Sequence, residues 1–208
     1  MCKSKVILLF IFISTVSFSQ GFKGKAIIGI NGAQIDGDKL AGFNRVGPIF
    51  GAAVDYKLSK KVAIQMEIYY SLRGSRSTTD DLPLFIDCIM HYIDIPLIIS
   101  IEFYKRLSFQ IGLTPAYLIN AQLDGSGYGY GDVTNLLNKF DICYSGGLEY
   151  AITDRWAVNT RFNYSAIPVE KPGFNNTSTF LQYGGWFNNF FNVSIRYTFP
   201  KKEEVKPL

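Results

Sequence analysis

The 208-residue sequence contains one histidine, three cysteines and two tryptophans, and only 18% of its residues are charged. With a single histidine and no C-x-x-C spacing, there is no Cys/His cluster of the kind that holds a metal. The formal charge is +4, and lysine and arginine never gather beyond pairs such as Lys60-Lys61 and Lys105-Arg106. That is too little positive charge, too scattered, for a nucleic-acid partner. Beyond residue 20 no stretch carries a long helical period. What is abundant is 17 Phe, 13 Tyr and 19 Gly, a composition that favours sheet over helix.

Long hydrophobic runs are also scarce. The longest, VILLFIFISTV, follows the basic MCKSK and precedes the small residues SFS before Gln20. It is shorter than the ~20 residues a transmembrane helix needs. Residues 1–19 therefore read as a secretory signal peptide, cleaved near Ser19/Gln20. Cys2 lies ahead of the apolar run, so no lipid anchor is expected. The remaining cysteines, Cys88 and Cys143, carry no disulfide-framework spacing and read as two small buried or loop-proximal thiols.

Eight runs in residues 20–199 alternate apolar and polar, the two-residue period of a half-buried strand. In the clearest, Val62, Ile64, Met66, Ile68, Tyr70 and Leu72 share one face, and Ala63, Gln65, Glu67, Tyr69, Ser71 and Arg73 share the other. If facing residues share a face, the pairs Val54/Met66, Leu97/Leu113 and Tyr150/Val158 set three hairpins, with loops of about three residues around SKK, YKR and TDR. The other four connections, 33–44, 74–88, 122–138 and 167–187, are long. Short and long connections thus alternate, as in transmembrane barrels with short periplasmic turns and longer extracellular loops. The expectation is all-β: an eight-stranded antiparallel up-and-down transmembrane β-barrel, with both termini periplasmic and a short tail over 200–208.

Alternation alone fits a barrel facing either way. Side-chain size decides the face. The polar face carries Ala53, Ser71, Gly112, Ala116, Ser145, Gly147 and Ala157, and the other carries the aromatics and branched aliphatics. An eight-stranded barrel has room inside for little more than filling side chains, so the small polar face is expected within and the apolar, aromatic face outside. Glu67, Asp94, Glu149, Arg161 and Arg196 then fall inside, where unpaired charge is costly. We expect them to form one ion-pair and hydrogen-bond network that fills the lumen. Pro96 and Pro115 fall on neighbouring rungs of one hairpin, Pro96 opposite Thr114 and Pro115 opposite Ile95. A closed barrel has no edge to hold them, so a bulge or kink is expected there.

The segments Tyr92-Ile93-Asp94-Ile95-Pro96-Leu97, Ile111-Gly112-Leu113-Thr114-Pro115-Ala116-Tyr117-Leu118 and Gly146-Gly147-Leu148-Glu149-Tyr150 resemble patterns of the PorT-like outer-membrane β-barrel family. Asp94 stands where that family usually has Glu, and Ala116 where it often has glycine. The resemblance covers nearly all of the chain beyond the signal peptide. It implies an outer-membrane protein and, from the family name, an accessory role in type IX secretion. Outer-membrane lipid is the expected partner, together with other envelope or secretion proteins.

No Ser-His-Asp or Asp-His constellation is present. His91 is separated from Asp94 by an odd number of residues and so points to the other face; Asp87 has matching parity but reads as loop. No enzymatic activity and no cofactor are expected. The loop DGSGYGYGD, residues 124–132, lacks the ligand spacing and closing Glu of an EF-hand. With FNNTSTFLQYGGW, residues 174–186, it has the Gly/Tyr/Asn composition of recognition loops. The favoured reading is a non-enzymatic barrel that presents loops or supports the envelope; an accessory secretion subunit and a narrow channel are the alternatives.

Overall fold

A computed structural model of the chain describes residues 21–79, 85–171 and 185–200. The expected signal peptide, the tail beyond Pro200 and most of the 174–186 loop lie outside them. The strands are β1 (Phe22–Asp36), β2 (Arg45–Lys57), β3 (Val62–Arg76), β4 (Asp87–Asp94), β5 (Leu97–Tyr104), β6 (Leu107–Asp124), β7 (Gly131–Asp132), β8 (Phe140–Ala151), β9 (Trp156–Ser165) and β10 (Phe187–Thr198). All pairings are antiparallel, and β1 pairs with both β2 and β10, which closes the sheet into a ring. β4 and β5 are two halves of one crossing, and β7 is a short ladder on the end of β6. Eight crossings therefore make the barrel.

The three facing pairs read from the sequence are observed: Val54 with Met66, Leu97 with Leu113, and Tyr150 with Val158. The short connections are less uniform than expected, spanning 58–61, 105–106 and 152–155. The tightest puts Arg106 at φ 67°, a conformation non-glycine residues seldom take. Its guanidinium is tied across to the next turn, donating to the Ile152 carbonyl at 2.9 Å and to Asp154 at 3.2 Å.

The prolines are accommodated without an inserted residue. Asp94 faces Ala116 and Leu97 faces Leu113, so the register runs straight through Ile95-Pro96. The Glu67 amide donates to the Pro96 carbonyl at 3.0 Å, and the Ile95 amide donates to the Pro115 carbonyl at 2.8 Å. Neither proline can return a bond. One bond is thus missing on each side of the strand, which splits the crossing into β4 and β5. Register shifts sit elsewhere: His91 faces Asn120 and Tyr92 faces Leu118, leaving Ile119 as an extra residue, and Glu102 faces Ser108 while Tyr104 faces Leu107, leaving Phe103 as another beside the turn.

The outer surface between the two ends is apolar, with Ile28, Phe50, Met66, Ile68, Ile111 and Phe162 all exposed. Aromatic pairs bracket this band. Phe22–Tyr56 and Trp156–Tyr197 lie toward the short turns, with ring centroids 5.0 and 4.8 Å apart. Tyr164–Phe187 and Tyr117–Phe140 lie toward the long loops, at 6.2 and 5.2 Å. On β2 the outward apolar face runs from Val46 to Tyr56. That is about 33 Å along the strand at ~3.3 Å per residue, or about 25 Å across a bilayer at a tilt of ~40°.

Beyond the loop-side aromatics the two faces exchange character. Outward positions become polar, at Gln34, Asp36, Arg76, Asn120 and Gln122, while Ile35, Met90, Leu118 and Ala121 are buried inside. Leu137, Val169 and Trp186, from the long loops, pack into the same apolar cluster. The expected polar filling therefore stops short of the loop end. There the wall stands in water rather than lipid, and the hydrophobic effect draws apolar side chains inward as in a soluble barrel.

Candidate functional site

The lumen holds the chemically distinctive groups. Inward positions of β3, β9 and β10 bring Glu67, Arg161 and Arg196 together toward the turn end, all at most 2% exposed. Arg161 grips Glu67 with both terminal nitrogens at 3.0 Å, a fork geometry that suits a carboxylate. Arg196 approaches the same carboxylate at 2.7 and 3.4 Å and reaches Glu149 at 3.2 Å. Lys25 of β1 closes the group, 3.0 Å from Glu149 and 2.6 Å from Asp55. Three cations thus face three carboxylates, a neutral set.

Amides extend the network. Gln110 Oε1 accepts from Arg161 at 2.8 Å and from Asn159 at 2.7 Å, and Gln110 Nε2 donates to Gln65 and Glu149 at 2.8 and 3.2 Å. Glycine provides the room: Gly147 faces Arg161, and a Cβ there would stand 2.2 Å from the Thr160 carbonyl and 3.1 Å from the Arg161 Cβ.

Asp94 belongs to a second group, nearer the loops, and not to the single network expected from the sequence. Its partner is Arg73, which also donates to Ser71 at 3.1 Å and approaches Asp141 at 3.4 Å. The Arg73 guanidinium lies between two rings, 4.5 Å from the Tyr92 centroid and 4.0 Å from that of Phe190, a cation–π sandwich. Asp141 accepts further bonds from Ser165 and Asn188, both at 2.9 Å. The structure separates Asp94 from the other four because stagger around the barrel sets height, which parity along one strand does not carry. Parity does place Lys25, Asp55, Arg73 and Asp141 inside; adding every inward charge to the candidate list would have found them.

Above this second group the apolar cluster of Ile35, Met90, Leu118, Leu137, Val169 and Trp186 closes the lumen. Cys88 and Cys143 are free and fully buried. His91 faces outward, its Nδ1 2.6 Å from the Tyr70 hydroxyl. Asp87 opens β4 rather than lying in a loop, and it forms an ion pair with Arg45. Among the described residues no group of His, Cys, Asp and Glu has the makings of a metal site. In the 124–132 loop, the Asp124 carboxylate accepts backbone amides of Ser126, Gly127 and Gly129 at 3.0, 2.7 and 3.1 Å. These bonds hold its pKa below the usual carboxylate range.

A model of the family described as outer membrane protein beta-barrel domain matches residues 13–169. The chain belongs to that family. Its barrel is similar to the crystal structure of Ail, the attachment invasion locus protein of Yersinia pestis, with a TM-score of 0.53 at 13% identity, covering 86% of this chain and 99% of that one. It is equally similar to Neisserial surface protein A, with a TM-score of 0.52 at 13% identity, covering 86% and 98%. At these identities the likeness concerns the fold. No curated protein matches the sequence. As a family barrel, the chain sits in the outer membrane with the apolar band against lipid and the paired charges within.

Proposed function

We propose that this protein is a sealed, non-enzymatic outer-membrane barrel that anchors its long loops at the cell surface, with its short turns and both termini in the periplasm. One observation carries the reading: two layers of paired charge and an apolar plug fill the lumen along its length. The plug draws Leu137, Val169 and Trp186 from the loops themselves, so the filling also holds the loop bases in place. A conducting pore would need a continuous aqueous path, and the burial of the Glu67 group and of the plug counts against one. The experiment is single-channel recording of the folded protein in planar bilayers. No conductance steps are expected at moderate voltage; discrete, reproducible steps would sink the sealed reading and favour the narrow channel.

The PorT-like segment Tyr92–Leu97 supports a finer assignment to that family and to type IX secretion. Each polar or special residue of that segment also has a local role, however: Tyr92 and Asp94 hold Arg73, and Pro96 accepts the Glu67 amide. A secretion subunit would co-purify from mild detergent with secretion components in fixed stoichiometry, and its deletion would stop cargo export.

A further inference from the structure

The two ends of the barrel differ in charge. At the short-turn end six basic residues are exposed: Lys57, Lys60, Lys61, Lys105, Arg106 and Arg155. Among the described residues of that end, the exposed acids are Glu102 and Asp154. At the loop end, the described residues of 36–45, 76–87, 124–139 and 170–171 expose three basic side chains, Lys39, Arg76 and Lys171, against one acid, Asp132, a smaller excess. The interior adds nothing to the turn-end excess, because Lys25, Arg161 and Arg196 are neutralised by Asp55, Glu67 and Glu149.

The position of the basic residues is as informative as their number. Phe22-Lys23, Tyr56-Lys57, Tyr104-Lys105 and Arg155-Trp156 are sequence neighbours at four different strand ends. Each aromatic lies at the edge of the apolar band, where amphipathic rings settle at the headgroup level of a bilayer. Lys105 and Arg155, in the turns, are therefore at headgroup height on side chains long enough to reach a phosphate, while Lys23 and Lys57 take the inward parity of Lys25 and Asp55. Because the exposed basic residues come from three separate turns, 58–61, 105–106 and 152–155, with Lys57 beside the first, the charge forms a ring around the barrel and not a patch on one side. A protein partner would be met by a patch; a leaflet is met by a ring.

We infer that the turn-end ring binds the headgroups of anionic diacyl phospholipids, selecting them over zwitterionic ones at the barrel's edge. The inference rests on the barrel spanning a bilayer and is independent of whether its lumen conducts. Selection by charge fixes how deep the barrel sits and keeps its turn end toward a phospholipid leaflet, which agrees with the periplasmic placement of the turns.

Trp156 provides the readout, since it is 48% exposed at this end whereas Trp186 is buried inside the loop end. The folded protein is placed in mixed vesicles of phosphatidylcholine and phosphatidylglycerol, with one or the other lipid brominated at equal mole fraction. Brominated phosphatidylglycerol is expected to quench Trp156 more strongly, corresponding to a relative affinity of about fivefold, the factor for one Lys or Arg near an anionic surface. The preference should fall toward unity in 1 M salt, where screening acts within ~3 Å. It should also fall in the Lys105→Gln/Arg155→Gln variant, whose unchanged migration on unboiled gels would verify folding. Equal quenching by the two lipids at low salt overturns the proposal and leaves the ring to an anionic protein or polymer. A preference that survives both high salt and the substitutions overturns it as well.

Discussion

Replacing Glu67 by glutamine keeps the shape of the side chain and removes only its charge. Glu67 is the shared acceptor of Arg161 and Arg196, with contacts between 2.7 and 3.4 Å and no exposure to speak of. Without its charge, Lys25, Arg161 and Arg196 face only Asp55 and Glu149, and one positive charge is left over in a dry interior. Removing one partner of a buried ion pair costs about 3–5 kcal/mol. We expect Glu67→Gln to destabilise the barrel by that amount, read by guanidinium titration in detergent micelles with Trp156 fluorescence as the signal. Arg196→Gln should cost a similar amount, because it strands a carboxylate instead. The double variant restores two cations against two acids, so its cost should fall short of the sum by at least about 2 kcal/mol. If Glu67→Gln changes stability by less than about 0.5 kcal/mol, or if the two changes simply add, the lumen is not held by charge pairing and the argument fails.

Two further outcomes follow from local geometry. Gly74 has φ +136°, and a Cβ there would lie 2.0 Å from the Cys88 carbonyl; Gly74→Ala should cost at least about 2 kcal/mol, while Gly146→Ala, with open space around it, should be near neutral in the same titration. The Asp124 pKa is lowered by the amides of Ser126, Gly127 and Gly129, so its hold on the loop is complete above the ordinary carboxylate value near ~4. That hold is lost as pH falls through the lowered value. Exchange protection of those three amides should drop at acid pH in the native protein and be low at every pH in Asp124→Asn; protection that ignores pH would contradict the assignment.

Much of this fold can be read along the chain because a strand turns its side chains to alternate faces with a period of two. Val54/Met66 and Tyr150/Val158 could be paired, and Glu67, Arg161 and Arg196 assigned to the inside, from that period alone. The loops were harder. The sequence reading ends the first strand near residue 32 and opens the long connections at 33, 74 and 122, whereas β1, β3 and β6 continue to Asp36, Arg76 and Asp124. The strands outrun the apolar band, and past it the alternation changes sign. A reading that expects lipid outside throughout mistakes Gln34 and Gln122 for loop.

Pro96 and Pro115 do interrupt the pairing locally, splitting β4 from β5, but without a bulge. Losing one bond on each side of a strand is tolerable when both neighbours keep their register, and that can be judged only with the two partner strands in view. The extra residue at Ile119 leaves no mark in composition.

By itself, the sequence determined the number of crossings, the face each residue takes within the apolar band and the chemical contrast between inside and outside there, all properties local to a strand. Only the tertiary structure decided which inward charges meet. Closing the ring staggers each strand against the next, so the heights of Asp94 and Glu67 are set by the accumulated shift of the whole barrel. Asp94 accordingly meets Arg73, which also reaches Asp141, below an apolar plug, while Glu67 meets Arg161 and Arg196 nearer the turns.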